Sequence, residues 1–223
     1  MRIKTALLKT FLDAVARIDA EPRLTINKTG ISTIGVDPAH VALVKATIPI
    51  SPDLSTDEEI DVCVDAKKIL AFIKNYKGTE MLDITFDGGK TKINGGMLKF
   101  STNQLNDKSP PKIPNITMPA FGTAKTKELK GIISAKISDN VKFVVSVHKL
   151  TVSLDNESDS ISASYETECT GEYVASYPTD YIVHALISDE VNIEFGMDIP
   201  CRIKPVIDGM EITYLVAPRI EQD

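Results

Sequence analysis

Tryptophan is absent from this chain, and cysteine and histidine each occur three times in 223 residues. The cysteines, Cys63, Cys169 and Cys201, are odd in number and show no Cys-x-x-Cys spacing. That argues against a disulfide framework or a cysteine-built zinc site and for buried free thiols in a reducing compartment. No apolar run approaches the ~20 residues of a membrane-spanning helix. Residues 1–9, Met-Arg-Ile-Lys-Thr-Ala-Leu-Leu-Lys, lack the apolar stretch and small-residue cleavage site of a signal peptide. Also missing are H-E-x-x-H, G-x-S-x-G, the P-loop and G-x-G-x-x-G. No metal, cofactor or catalytic role is therefore expected. The hydrophobic fraction of 43% and charged fraction of 25% exclude a disordered or collagen-like chain. A net charge of −6 speaks, at first reading, against a partner as acidic as DNA.

What is present is a pattern that repeats. From Lys4 to Ile18, Leu7, Leu8, Phe11, Leu12 and Val15 recur at helical spacing, with Lys9, Asp13 and Arg17 on the opposite face. Pro22 breaks that pattern, and alternation predicts strands at 24–27, Ile31–Val36 and His40–Ile48. After a strand at Ile60–Val64, Asp65 is placed to cap a second helix carrying Ile69, Leu70 and Ile73, ended by Gly78. Strands at Met81–Phe86, Lys90–Ile93 and Met97–Ser101 follow, separated by Asp87-Gly88-Gly89 and Asn94-Gly95-Gly96 turns.

Residues 104–119 hold four prolines in sixteen positions, which predicts extended, semi-rigid backbone. The second half then echoes the first. Helices are expected over Thr126–Ile137 and from Pro178 to Ser188, with strands at Val141–Val147, Lys149–Leu154, Ile161–Glu168, Cys201–Ile207 and Glu211–Val216. Pro205 lies inside one of these strands and removes a backbone donor, so an edge or a bulge is expected there. The reading is an α+β chain of duplicated helix-plus-antiparallel-sheet domains. It divides into 1–103, a linker over 104–119, and 120–223.

Two segments then carry a resemblance. The run Asp37-Pro38-Ala39-His40-Val41-Ala42-Leu43 and the ending Tyr214-Leu215-Val216-Ala217-Pro218-Arg219-Ile220-Glu221 resemble the sliding clamps of the proliferating cell nuclear antigen (PCNA) family, in its shorter archaeal style. The likeness covers essentially the whole chain. It implies the DNA clamp fold and a processivity factor for DNA polymerase, active in replication and repair. Three subunits would form a ring of six similar domains that encircles duplex DNA without reading its sequence. It also implies an ATP-driven clamp loader. The site of action would be the cytoplasm, on chromosomal DNA, if the source is archaeal, and the nucleus if it is eukaryotic.

The placement of charge agrees with that resemblance better than its sum does. Residues 1–103 carry 14 Lys+Arg against 13 Asp+Glu, and residues 104–223 carry 11 against 18. A clamp needs cationic helices toward DNA, because phosphate contact attracts without locking a register. The candidates are Lys9, Arg17, Lys67, Lys68, Lys74 and Lys77 in the first half and Lys130 and Lys136 in the second. The helix from Thr179 to Ser188 departs from the family pattern, offering no Lys or Arg but Asp180, Val183 and His184.

The resemblance further implies a hydrophobic pocket under the linker that receives short peptides, with a Gln and paired aromatics, from DNA polymerase, flap endonuclease or DNA ligase. The matching positions are Val36, His40, Val41 and Leu43; Ile113, Pro114 and Ile116 of the linker; and Pro200, Ala217, Pro218 and Ile220. Ring closure would join edge strands head to tail, with Met97–Thr102 and Ser160–Glu168 as candidates. Three alternatives stay open: a subunit of a heterotrimeric or checkpoint-type clamp, a small α+β enzyme using His40 and Asp37, and a purely structural duplicated scaffold that never meets DNA.

Overall fold

The computed structural model describes residues 1–50 and 59–219. They form two compact units. The first comprises residues 1–38, 44–112 and 208–212, and the second comprises 39–43, 113–207 and the chain from Thr213 onward. The division within the Pro-rich segment falls between Lys112 and Ile113.

In the first unit, β1 (Arg2–Lys4) leads into α1 (Thr5–Ala16), then β2 (Arg23–Asn27), β3 (Gly30–Val36), β4 (Ala42–Pro49) and β5 (Ile60–Cys63). Helix α2 (Ala66–Ile73) and strands β6 (Met81–Asp87), β7 (Lys90–Gly95) and β8 (Leu98–Asn103) follow. One sheet runs β1-β6-β7-β8 and another orders β5-β2-β3-β4. Helices α1 and α2 pack against each other. Leu8, Phe11, Leu12 and Val15 of α1 and Ile69 and Ile73 of α2 are buried.

The second unit repeats the scheme. Its elements are β9 (Ala120–Lys125), α3 (Thr126–Ser134), β10 (Asn140–Ser146), β11 (Lys149–Asp155), β12 (Ser160–Glu166), β13 (Tyr173–Pro178), α4 (Thr179–Ala185), β14 (Glu190–Phe195), β15 (Cys201–Pro205) and β16 (Glu211–Val216). The strands order as β12-β11-β10-β13 and β16-β15-β14-β9. The core centres on Phe143, whose ring lies 5.4 Å from Tyr177 and 5.7 Å from Phe195. The Tyr177 hydroxyl donates to the Ile199 carbonyl at 3.0 Å, which satisfies the one polar atom that this buried ring brings inside.

Each helix is shorter than its apolar pattern suggests. Lys4 is still extended, pairing with Met81, so α1 starts one residue later than expected and ends at Ala16. Helix α2 stops at Ile73 because the chain tightens into a turn, with Asn75 N–H donating to Phe72 and Tyr76 N–H to Ile73. Helix α3 ends at Ser134, and Lys136 lies beyond it with φ 53°. Helix α4 ends at Ala185.

The helix starts share one device. Thr5 donates both its amide and its Oγ1 to the Glu80 carbonyl, each at 2.9 Å. Thr179 does the same to Asp139, again at 2.9 Å for both. Thr126 makes only the amide bond, to Asp189 at 2.9 Å, and its buried Oγ1 has no hydrogen-bond partner. Helix α2 uses the capping residue expected from the sequence: Asp65 Oδ1 accepts from Lys68 N–H at 3.0 Å.

Three further observations bear on the sequence reading. Cys63, Cys169 and Cys201 are free and buried, and burial pushes the Cys201 thiol pKa well up. β15 as a whole lies between β14 and β16, and Pro205 stands at a local edge within it, paired with β14 alone. It is the last residue of β15, past Ile203, where pairing with β16 ends. Val206 N–H points to the Glu190 carbonyl of β14, so the donor missing at Pro205 would face away from β14, where no ladder bond is owed. Finally, the β10–β11 turn is made by Val147 (φ 37°) and His148 (φ 64°), a conformation that disfavours a β-branched residue. His148 N–H donates to Cys169 at 3.1 Å and Thr167 N–H to His148 at 3.0 Å, so the turn is imposed from outside.

The unequal threonines give a direct test. Thr179→Val should lower unfolding free energy by about 1 kcal/mol, the usual net worth of a hydrogen bond. Thr126→Val should leave stability unchanged or raise it, because the hydroxyl it removes is buried without a partner. Denaturant titration of the two variants measures the contrast.

Candidate functional site

The amphipathic pattern of each helix decides where its cations go. On α1 the buried stripe leaves Lys9 exposed together with Asp13 and Arg17, which follows the last helical residue. Arg17 is not a free cation: its Nη2 lies 2.9 Å from Asp13 Oδ2. On α2, burial of Ala66, Ile69 and Ile73 turns Lys67 and Lys68 outward, and Lys74 is the residue that closes the helix. Lys77 lies in the following turn rather than on the helix, and is also exposed. On α3 the exposed cations are Lys127 and Lys130, while Lys136 projects from the left-handed residue past the helix end. Lys9, Lys67, Lys74, Lys77, Lys130 and Lys136 form no ion pair among the described residues.

Two of these positions run against helix electrostatics. Lys67 and Lys68 occupy the first turn of α2, where the positive end of the macrodipole disfavours cations by about 0.3–1 kcal/mol. No acidic residue occupies that turn. Asp65 offsets the strain, taking the Lys68 amide and lying 3.1 Å from the Lys68 ammonium. The backbone hydrogen bond from Lys68 is the main reason its carboxyl pKa is held below the ordinary value, with the Lys68 side chain adding to it. Such placement makes this end of α2 attractive to an anion from outside. Helix α4 has nothing comparable: Asp180 is exposed, and Tyr181 lies edge-on to His184 at 6.4 Å.

The residues matched to the peptide pocket fall mostly in the second unit. Val41 and Ala217 are joined directly, the Ala217 amide donating to the Val41 carbonyl at 2.8 Å. Two residues on, Arg219 N–H donates to Ser176 of β13 at 2.8 Å. Segment 217–219 is thereby stitched to residue 41 on one side and to β13 on the other. His40 is exposed and left-handed, with φ 57°, which turns the chain just ahead of β4. Val41, Pro200, Ala217 and Pro218 are half-buried. Leu43 is buried, so its side chain serves strand packing and not a surface. Ile113 and Pro114 are exposed, whereas Ile116 is half-buried and its carbonyl accepts from Arg202 Nη2 at 3.3 Å. Val36 ends β3 in the first unit. Ile220 lies outside the described residues.

His40 is exposed and Asp37 is buried. Among the described residues no group of three or more His, Cys, Asp or Glu side chains could hold a metal ion. No helix among them is long and apolar enough to cross a membrane.

The two strands expected to join subunits both lie at sheet edges, β8 ending one sheet and β12 ending another. Met97, just before β8, is 99% exposed, and Leu98, its first residue, is 51% exposed. What the sequence did not reveal is how the first part of the Pro-rich segment is held. Arg23, which no motif singles out, reaches both Asp107 and Asp61, and Lys108 reaches Asp19. The local signal was slight: Asp107 and Lys108 stand side by side just ahead of the prolines.

No family model matches the chain. Curated relatives do. A DNA polymerase sliding clamp of Thermoplasma acidophilum is 28% identical, over 96% of this chain and 96% of its own length. One from Methanocorpusculum labreanum is 29% identical, over 99% and 98% respectively. Among solved structures, A. fulgidus PCNA bound to the C-terminal region of FEN-1 superposes with a TM-score of 0.89 at 25% identity, covering 100% of this chain and 98% of that one. A PCNA2–PCNA3 complex from Sulfolobus tokodaii shares the fold, with a TM-score of 0.81 at 22% identity, covering 99% and 100%.

The cap under the α2 cations can be tested alone. Asp65→Ala should lower stability at neutral pH by about 1 kcal/mol. Because the folded-state pKa of Asp65 is depressed, its contribution is complete above the ordinary carboxylate pKa and fades as pH falls through the lower folded value. The gap between wild type and variant, read by denaturant titration, should therefore close in acid.

Proposed function

We propose, for a chain that belongs to the PCNA family of sliding clamps, that copies close head to tail into a three-membered ring around duplex DNA. It serves as the DNA polymerase sliding clamp and tethers replication and repair enzymes by short peptides. The observation that carries this reading is the set of unpaired lysines on the solvent faces of α1, α2 and α3 in a chain whose net charge is −6. An acidic protein that presents exposed lysines on short helices, two of them, Lys67 and the Asp65-paired Lys68, against the macrodipole, is arranged to meet phosphate. Because ammonium groups on flexible stems make point contacts and no base-edge pattern is read, attraction and sliding are compatible.

Ring closure is supported by the two edge strands, β8 in one unit and β12 in the other, which a head-to-tail contact would pair. Peptide tethering is supported by the direct joining of Val41 to Ala217 and by exposed Ile113 and Pro114 in the same unit, apolar groups that an extended peptide can use. The relative from A. fulgidus binds the C-terminal region of FEN-1, and peptides from a polymerase, a ligase and a clamp loader belong to the same class of occupant. The work of such a ring lies with chromosomal DNA. Because the S. tokodaii structure joins two different chains, a mixed ring is the second reading. Light scattering on the isolated protein separates the two: a mass three times the 24.4 kDa of one chain supports the homotrimer, and a persistent monomer refutes it.

DNA contact should be uneven around the ring. Lys67→Ala with Lys68→Ala should cut retention on circular duplex DNA. It should also flatten the dependence of log K on log salt by up to ~2, at ~0.9 for each phosphate no longer neutralised. His184→Ala should leave both unchanged at pH 8. Equal effects from the two substitutions would overturn this assignment.

A further inference from the structure

The Pro-rich segment is loose in composition but not in attachment. Its first residues are fastened to the first unit by a dense clasp. Leu105 N–H donates to the Cys63 carbonyl at 2.9 Å. Arg23 Nη1 donates to Asp107 Oδ1 at 2.7 Å and to the Lys108 carbonyl at 2.9 Å. Its other nitrogen, Nη2, donates to Asp61 Oδ2 at 2.9 Å, and Asp61 is steadied by Thr25 Oγ1 at 2.6 Å. Lys108 Nζ lies 2.6 Å from Asp19 Oδ2, and the Asp19 side chain is only 8% exposed. The second Asp19 oxygen accepts from Glu21 N–H at 3.0 Å. Even the neighbouring backbone makes room, since a Cβ at Gly35 would sit 2.6 Å from Asp19 Cβ.

A covalent linker needs none of this. Burying a carboxylate is unfavourable unless it is paired, so a chain that does so at a linker gains something from the linker's position. The next fastening is the Arg202 bond to the Ile116 carbonyl. Between the two lie residues 109–115, Ser-Pro-Pro-Lys-Ile-Pro-Asn, with three prolines, all exposed except the half-buried Pro111. A short segment, stiffened by proline and following directly on the clasp, carries Ile113 and Pro114.

We infer that Asp19, Arg23, Asp107 and Lys108 are positioning residues for the peptide pocket. The clasp orders the start of this segment before any partner arrives, so Ile113, Pro114 and their backbone meet an extended, apolar-anchored peptide without first having to be immobilised. Association then avoids an ordering penalty that a free linker would impose on each binding event. This inference rests on the peptide-pocket reading, and acts on the pocket only through the chain that joins Lys108 to Ile113.

The experiment uses the full-length protein and a labelled peptide from the C-terminal region of FEN-1. Asp107→Ala removes an exposed carboxylate and breaks one arm of the clasp, leaving Arg23 its partner Asp61. Asp19→Asn combined with Lys108→Met removes the other arm without leaving a buried charge. Each variant should bind the peptide about 3- to 10-fold more weakly, the effect expected when a preordered segment becomes free. Ring mass should stay unchanged and exchange of the Leu105 amide, which the clasp holds on the Cys63 carbonyl, should quicken, while Lys108→Arg, which keeps the charge, should retain wild-type affinity. If wild type binds and Asp107→Ala binds within twofold of it, the positioning role is wrong, whatever the double variant does to folding. If wild type itself does not bind the peptide, the pocket reading fails and takes this inference with it.

Discussion

Helices of seven to twelve residues do not persist in water unaided, because nucleation is unfavourable and each end leaves unpaired amides. The rest of this structure depends on how the four are held. Three begin on a threonine whose amide donates to a carbonyl far along the chain, at Glu80, Asp189 or Asp139. The fourth is capped locally by Asp65. That anchoring sets the helix start, the start sets the phase of the apolar stripe, and the stripe decides which side chains face outward. The exposed lysines of α1, α2 and α3 are thus a consequence of where the helices begin. Helix α4, held just as firmly, presents no Lys or Arg because none was available in its sequence.

Net charge describes this molecule poorly. The sum is acidic, yet the first 103 residues are nearly balanced, and their cations gather on helix faces and ends. At physiological salt, screening acts over roughly 8 Å, so a phosphate near α2 senses Lys67, Lys68 and Lys74 far more than carboxylates elsewhere. The same logic separates two classes of charge. Those of the helices are exposed and available. Those around residues 105–108 are paired and partly buried, and serve position rather than attraction.

Much of the fold was legible from residues alone. Alternation and turn residues located most strands of both halves but not β1, β9 or β13, helical spacing found the four helices among the described residues, and Asp65 was identifiable as a cap. The inter-subunit candidates, 97–102 and 160–168, lie at sheet edges. Boundaries were less legible: the pattern places Lys136 within a helix and Lys77 on or beside one, and both lie beyond the helix ends, because spacing alone does not show where the chain tightens into a turn. Leu43, matched by motif to a surface pocket, is packed within its strand, since alternation cannot say which face of a strand another element will cover.

Sequence by itself therefore determined the periodicities, the duplication and the inventory of charge, because these depend on neighbours three or four positions apart. Tertiary structure alone decided the rest. A strained Val147–His148 turn is held by Thr167 and Cys169, Pro205 falls where a neighbouring ladder has already ended, and a linker beside four prolines is fixed by Asp19 and Arg23 from the start of the chain. In each case the deciding partner is distant in sequence, and no local pattern encodes which distant group will be near.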